Sequence, residues 1–399
     1  MSLSRFLLKN RSLAPATARL FSTSRLAASA APLDFSKLTI ERTKTPKTLP
    51  PPEQLIFGHT FTDHMLTIEW DEKNGWKTPE IKPYQTLNLD PASIVFHYGF
   101  ECFEGLKAYR DEKDNVRIFR PDRNMVRMNS SAERICLPNF DVDTMIQLIS
   151  EFVKVEKNLI PQKKGFSLYL RPTLIGTDPA LGVSTPGQAL FYLIASPVGP
   201  YYPTGFKAVR LEATDYAVRA WPGGVGNKKL GANYAPCIKP QREAASRGYQ
   251  QNLWLFGEEG KITEVGTMNV FFVFQDKATG KKELVTAPLD GTILEGVTRD
   301  SILHLAREKL DPNEWIVSER YCTIYEVEER AAKGELVEAF GSGTAAVVSP
   351  IKEIGWKGND INVPLQEGKQ SGPLTEAVAK WIGDIQYGVV EHPWSQVVA

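Results

Sequence analysis

The densest run of residues suited to holding an anion is Gly223-Gly224-Val225-Gly226-Asn227-Lys228-Lys229. Glycines let backbone N–H groups approach a phosphate closely, and lysine supplies charge, so a nucleotide loop is the first chemistry to test. The spacing rejects it. A Walker loop needs GxxxxGK followed by Ser or Thr, and a dinucleotide fingerprint needs GxGxxG. Gly341-Ser342-Gly343 likewise falls short of the GxSxG elbow that exposes a nucleophilic serine. The five histidines, His59, His64, His97, His304 and His392, form no HExxH pair, so no metal site is expected. Four polar segments remain that packing does not explain. They are Arg219-Ala220-Trp221 running into Lys229-Leu230-Gly231-Ala232-Asn233-Tyr234, then Thr263-Glu264-Val265-Gly266-Thr267-Met268-Asn269, Gly291 to Arg299, and Phe340-Gly341-Ser342-Gly343-Thr344-Ala345. Taken singly, each has an ordinary explanation. A Lys-Lys pair is usually solvated, an isolated arginine usually lies on the surface, and a glutamate before a β-rich run is usually an exposed strand start.

The elements that must position these residues are of mixed type. The chain has 399 residues, 42% hydrophobic and 24% charged, too apolar for a disordered chain and too charged for an integral membrane protein. Its length suggests two domains, each large enough for its own core. No run of 18 apolar residues is present. Helical spacing of Met145, Ile146, Ile149, Phe152 and Val153 predicts a helix over 143–157, capped by Asp141 or Asp143. Further helices are expected near 236–247, 297–309, 324–333 and 374–385. Strands are expected at 166–170, 190–195, 208–213, 253–256, 269–274 and 284–286. The turn-rich stretch 197–205 separates two α/β domains, 29–196 and 206–399.

Charge is balanced at 47 basic and 47 acidic side chains, which argues against a nucleic-acid binder. The balance hides an asymmetry. Residues 1–33 carry Arg5, Lys9, Arg11, Arg19 and Arg25 and no acid, leaving a body of 42 basic and 47 acidic residues, net −5. A basic, Ser-rich, acid-free start is the pattern of a mitochondrial transit peptide, so residues 1–28 are set apart and a matrix location is expected. The four cysteines, Cys102, Cys136, Cys237 and Cys322, are spaced for neither zinc nor a CxxC redox pair.

In this order and register, the four polar segments resemble the fold-type IV pyridoxal-phosphate aminotransferases, most closely the branched-chain amino acid aminotransferases. The similarity extends from Phe57-Gly58-His59-Thr60-Phe61-Thr62-Asp63-His64-Met65 to Ile385-Gln386-Tyr387-Gly388. It implies pyridoxal 5'-phosphate held as a Schiff base on Lys229, with Lys228 the rival amine. It implies Glu264 beside the pyridine nitrogen and Tyr234 on the phenolate oxygen. Around the phosphate it implies Arg120, in Phe119-Arg120-Pro121, together with Val297 and Thr298 at a helix start, and Thr344; Thr267 and Arg219 complete the cofactor set. A substrate pocket is implied at Phe57, Tyr98, Phe103, Tyr169, Leu181, Val183 and Tyr201. Backbone groups of Thr344 and Ala345 would receive the α-carboxylate, and Arg171, with Tyr98, the second carboxylate of glutamate. Leu181 and Val183 are expected to reach a neighbouring subunit, which implies a homodimer. The implied activity transfers the amino group of leucine, isoleucine or valine to 2-oxoglutarate, with no nucleic acid or membrane partner. D-amino acid aminotransferases and aminodeoxychorismate lyases are the nearest rivals; they are usually shorter and lack the long match in the first 120 residues. A non-catalytic descendant is the rival of another class, and the intact Lys229, Glu264, Tyr234 and Arg120 argue against it. One departure is plain: where animal mitochondrial relatives carry a CxxC pair, this chain has Ala346 and Ser349.

Overall fold

The computed structural model describes residues 30–199 and 207–399. Two sheets dominate it. The first has ten strands, with the order Thr39–Ile40, Glu80–Pro83, His64–Asp71, Gln188–Val198, Ser167–Gly176, Leu106–Arg110, Val116–Phe119 and Ser395–Val397 along its main path. Its long central pair is antiparallel, Ser167 opposite Val198 through Gly176 opposite Ala189. The second has nine strands, ordered Lys261–Val265, Gln251–Phe256, Val209–Thr214, Val347–Trp356, Leu336–Gly343, Met268–Gln275, Lys282–Thr286 and Trp315–Glu319 along its main path. Val209–Thr214 runs parallel to both of its neighbours. The mixed α/β class is as the sequence indicates.

Burial explains which helices the sequence discloses. Helix Val142–Val155 buries Met145, Leu148, Ile149, Phe152 and Val153 along one stripe, and Asp141 caps it by accepting from Thr144 N at 2.8 Å. Such a cap is worth about 1 kcal/mol. The helices Ile238–Ser246, Val297–Lys309, Ile324–Ala332 and Pro373–Gln386 fall where expected. Helix Pro121–Arg134 escapes the hydrophobic pattern because its buried face mixes Met125, Met128 and Ala132 with Asn124, Arg127 and Ser131.

Three cores result. One lies under the first sheet and its two helices, and a second within the second sheet. The third joins Tyr109 and Phe119 of the first sheet to Phe271, Phe340, Ile302 and Ile382 of the second half. The ends of the two halves differ from expectation. The central strand continues through Pro197 to Val198, and the chain terminus returns to the first sheet, where Ser395 lies opposite Phe119. The buried Val198 side chain and the backbone ladder hold that strand past the turn signal in the sequence. Residues 1–28 and most of 197–205, Tyr201 included, lie outside the described residues.

Candidate active site

A cavity of about 370 Å³ is lined from both halves of the molecule, by Phe57, Phe103, Tyr169 and Arg171 on one side and by Glu264, Thr267, Val297, Thr298 and Thr344 on the other. Lys229 stands between them because its backbone is tied to the first half. Its N–H donates to Ser131 Oγ at 2.8 Å, and its carbonyl accepts from Phe103 N at 3.1 Å. The side chain enters the cavity, where Nζ donates to Tyr234 Oη at 2.9 Å and lies 4.8 Å from the Phe103 ring centre. Lys228 is committed elsewhere, donating to Ser130 Oγ. Two residues on, Gly231 lies against Glu101, whose Oε2 would be 1.9 Å from a Cβ there, so a side chain at this position would displace that carboxylate.

Glu264 comes from strand Lys261–Val265 and is 1% exposed. Its Oε1 accepts from Leu294 N at 3.0 Å and from Asn269 Nδ2 at 3.2 Å. Arg219 Nη1 lies 2.8 Å from Oε2 but off hydrogen-bond alignment, and neither of those two atoms has a hydrogen-bond partner. Burial pushes the carboxyl pKa up, opposed first by the Arg219 charge and then by the Leu294 N–H. Arg219, expected in the cofactor set with its contact left open, therefore sits behind Glu264 and does not line the cavity.

The phosphate arginine needs a larger correction. Arg120 does not face the cavity. It caps helix Pro121–Arg134 with φ 48°, donates to Ser301 Oγ at 2.7 Å, pairs with Asp300 at 2.7 Å and lies over the Trp394 ring. The arginine of this helix that does line the cavity is Arg127, two helical turns further on. Its Nε and Nη2 grip Glu104 at 2.7 and 2.8 Å, and Nη1 donates to the Glu295 carbonyl at 2.9 Å. Glu104 is fully buried and also accepts from Asn124 Nδ2 and Gly105 N. A guanidinium has five N–H donors, so three committed bonds leave two. The Glu295 contact sets them beside the start of helix Val297–Lys309, which no side chain caps. The signal in the sequence is a charge on a buried helical face, Arg127 among Asn124, Met125, Met128 and Ser131.

On the apolar side, Phe57 meets Tyr169 edge-on at 4.8 Å, and Arg171 lies 4.6 Å over Phe103 while donating to Tyr169 Oη at 3.0 Å. Arg171 Nε is buried without a partner, as is Ser342 Oγ. Met268, Asn269, Leu294 and Ser342, which belong to the segments singled out in the sequence but had no role assigned, also line the cavity, as does Ala346. Tyr98, Leu181 and Val183 do not. They are 40%, 69% and 73% exposed on the outside of the chain, Tyr98 donating to the Leu181 carbonyl. Burial, followed by Glu101 and Glu104, raises the thiol pKa of the fully buried Cys102. A larger surface groove of about 720 Å³ is lined by Glu69, Asp71, Lys73, Lys77 and Asp90 among others, a set of solvated charges without the buried amine and carboxylate of the smaller cavity.

An amine, a buried carboxylate, a phenol and an anion-ready helix start around one cavity between two such sheets are the parts of an aminotransferase of fold type IV. Residues 101–354 match the family described as Amino-transferase class IV. The chain is 68% identical over 376 residues to the mitochondrial branched-chain-amino-acid aminotransferase of Saccharomyces cerevisiae, covering 94% of this chain and 96% of that one. To the cytosolic enzyme of the same organism it is 67% identical over 369 residues, covering 92% and 98%. Among solved structures, the branched-chain aminotransferase of the thermophilic archaeon Thermoproteus uzoniensis with norvaline matches with a TM-score of 0.66 at 26% identity, over 84% of this chain and 100% of that one. The chain belongs to the class IV aminotransferases, and within them to the branched-chain-amino-acid aminotransferases.

Proposed function

We propose that this enzyme transfers the amino group of leucine, isoleucine or valine to 2-oxoglutarate, reversibly, with pyridoxal 5'-phosphate in the 370 Å³ cavity. The observation that carries this reading is the placement of the Lys229 amine and the buried Glu264 carboxylate on one cavity that also holds Arg127. The cavity fits that cofactor. The two spare Arg127 donors and the uncapped helix start suit its phosphate, the Glu264 Oε2 that accepts no hydrogen bond its ring nitrogen, the Tyr234 hydroxyl its phenolate and Lys229 its aldehyde carbon. When bound, the cofactor supplies a sink for negative charge at the substrate α-carbon.

The chain's own residues do the rest. Lys229 Nζ moves the α-proton, a step worth roughly 10²–10⁴-fold. Phe57, Phe103 and Tyr169 exclude water around the branched side chain, and Arg171, with a buried donor to spare, receives the second carboxylate of glutamate. Backbone groups of Thr344 and Ala345 receive the α-carboxylate. Leu181 and Val183 are exposed apolar side chains, and a homodimer in which they reach a second copy's cavity would bury them. Initial rates with a panel of L- and D-amino acids against several 2-oxo acids test the reading. Fastest turnover of leucine, isoleucine and valine with 2-oxoglutarate is expected, and a preference for D-alanine would overturn it.

Arg127→Met should weaken cofactor retention by roughly ten- to a hundredfold, the equivalent of about 1.5–3 kcal/mol for hydrogen bonds to a charged group. Arg120→Met should change it far less, because Arg120 does not line the cavity. Equilibrium dialysis of the cofactor against both variants decides between the two arginines.

We also propose residence in the mitochondrial matrix. Identity to mitochondrial and cytosolic relatives is nearly equal, so the acid-free basic start carries this reading. Protein purified from the matrix should lack roughly its first 20–30 residues by mass analysis; an intact Ser2 terminus there would sink the proposal.

A further inference from the structure

Lys107 is a lysine in the interior with no acid paired to it. It lies in strand Leu106–Arg110 opposite Tyr169, is 7% exposed, and has no carboxylate in ion-pair contact among the described residues. Its ammonium makes one hydrogen bond, 2.7 Å to the carbonyl of Ala345. Burial pushes its pKa down to about 8. An unpaired buried charge is unfavourable, and a neutral side chain of similar length would fill the space at no such cost.

What the ammonium touches accounts for its presence. Ala345 belongs to the turn between strands Leu336–Gly343 and Val347–Trp356, and Gly343, Thr344, Ala345 and Ala346 all line the cavity, whereas Lys107 does not. The turn ends on Val347 at φ 63°, a left-handed conformation that a β-branched residue seldom adopts. Such a turn keeps its shape only if its surroundings impose it. A trans peptide is planar, with its C=O and N–H on opposite sides. Holding the Ala345 carbonyl from behind therefore turns the N–H of Ala346 the other way, and fixes the adjoining peptides of the turn with it.

We infer that Lys107 is a positioning residue for carboxylate recognition: by gripping the Ala345 carbonyl it makes the Gly343–Ala346 turn present its N–H groups to the cavity, with a positive charge behind them. This rests on the proposed assignment of the α-carboxylate to that turn. Lys107 itself touches neither substrate nor cofactor. Its loss should be felt by anions bound at the turn and not by neutral molecules of the same shape.

The test compares 4-methylpentanoate with 4-methylpentanamide, titrated calorimetrically into the cofactor-loaded wild-type enzyme and into Lys107→Met, Lys107→Gln and Lys107→Arg. Loss of a charge-assisted bond predicts roughly tenfold or weaker binding of the carboxylate to Lys107→Met and Lys107→Gln, with amide binding unchanged. Lys107→Arg, which keeps a charged donor, should restore most of the carboxylate affinity. In steady state, KM for leucine and for 2-oxoglutarate should rise with kcat nearly unchanged. Equal loss for carboxylate and amide would show a merely structural lysine, and unaltered carboxylate binding would likewise overturn the inference. If Lys107→Met fails to fold, the Gln and Arg variants carry the same comparison. A wild-type enzyme that binds neither probe but transaminates leucine would remove the carboxylate assignment itself, a failure distinct from the other two.

Discussion

Lys229→Ala should abolish transamination, while Lys228→Ala should retain most of it. The two lysines are adjacent in sequence, yet their amines have different surroundings. Lys229 Nζ is inside the cavity on the Tyr234 hydroxyl, whereas Lys228 Nζ is held by Ser130. The Lys229 amine lies 4.8 Å from the Phe103 ring centre and 5.3 Å from that of Tyr234, at the place in the cavity where a carbonyl can be attacked and a proton carried. Loss of proton transfer alone is worth roughly 10²–10⁴-fold in turnover, and loss of the covalent anchor adds to it. Among the described residues no other lysine lines the cavity, and Lys107, the buried lysine behind the turn, is spent on Ala345. Turnover numbers of the two alanine variants, with borohydride reduction and peptide mapping of the wild type, check this. Comparable loss in both variants, or label on Lys228, would reverse the assignment.

The contrast between those lysines also shows how far a sequence can be read. Register points to Lys229, and the structure turns that amine into the cavity because the glycines and Asn233 on either side have their own tasks. Asn233 Nδ2 donates to the carbonyls of Val225 and Lys228, folding the glycine run back on itself. Helix Val142–Val155 is legible because its buried stripe is purely apolar. Helix Pro121–Arg134 is not, and the reason lies in its polar network. Asn124 and Arg127 occupy its buried face to build the contacts with Glu104, which dilutes the apolar periodicity that announces a helix. The same dilution hides Arg127 and leaves Arg120, conspicuous before a proline, as the visible candidate. Arg120 is instead a structural cap bound to Ser301, Asp300 and Trp394. Tyr98, Leu181 and Val183 illustrate a different limit. Their apolar character is visible in sequence, but within one chain they are exposed, so a role in the cavity depends on a neighbour.

Glu264→Gln should leave the cofactor bound and slow turnover by roughly 10²–10³-fold, the scale of losing one preorganised electrostatic contact at a reacting centre. A carboxylate can keep a proton on the ring nitrogen beside it, and a neutral amide of the same shape cannot. Geometry sharpens the expectation. Oε1 already accepts from Leu294 N and Asn269 Nδ2, and Oε2 faces Arg219. Glutamine offers one acceptor oxygen, so its NH₂ must point either at Leu294 N–H and the Asn269 amide or at the Arg219 guanidinium, donor against donor. Leaving such a group unsatisfied costs about 1–3 kcal/mol. The pH dependence of the cofactor-free protein follows from the raised pKa. An acid whose folded pKa lies above its unfolded value favours the folded state while protonated, so its contribution is present below the unfolded pKa and is lost as pH rises through the folded one. Glutamine removes that titration. The cofactor-free wild type should thus lose stability with rising acidic-to-neutral pH relative to Glu264→Gln, and cofactor binding should raise the melting temperature more in the wild type, where a cationic ring nitrogen relieves the buried charge. Turnover equal to wild type, or identical melting shifts on cofactor binding in both proteins, would take Glu264 out of this role.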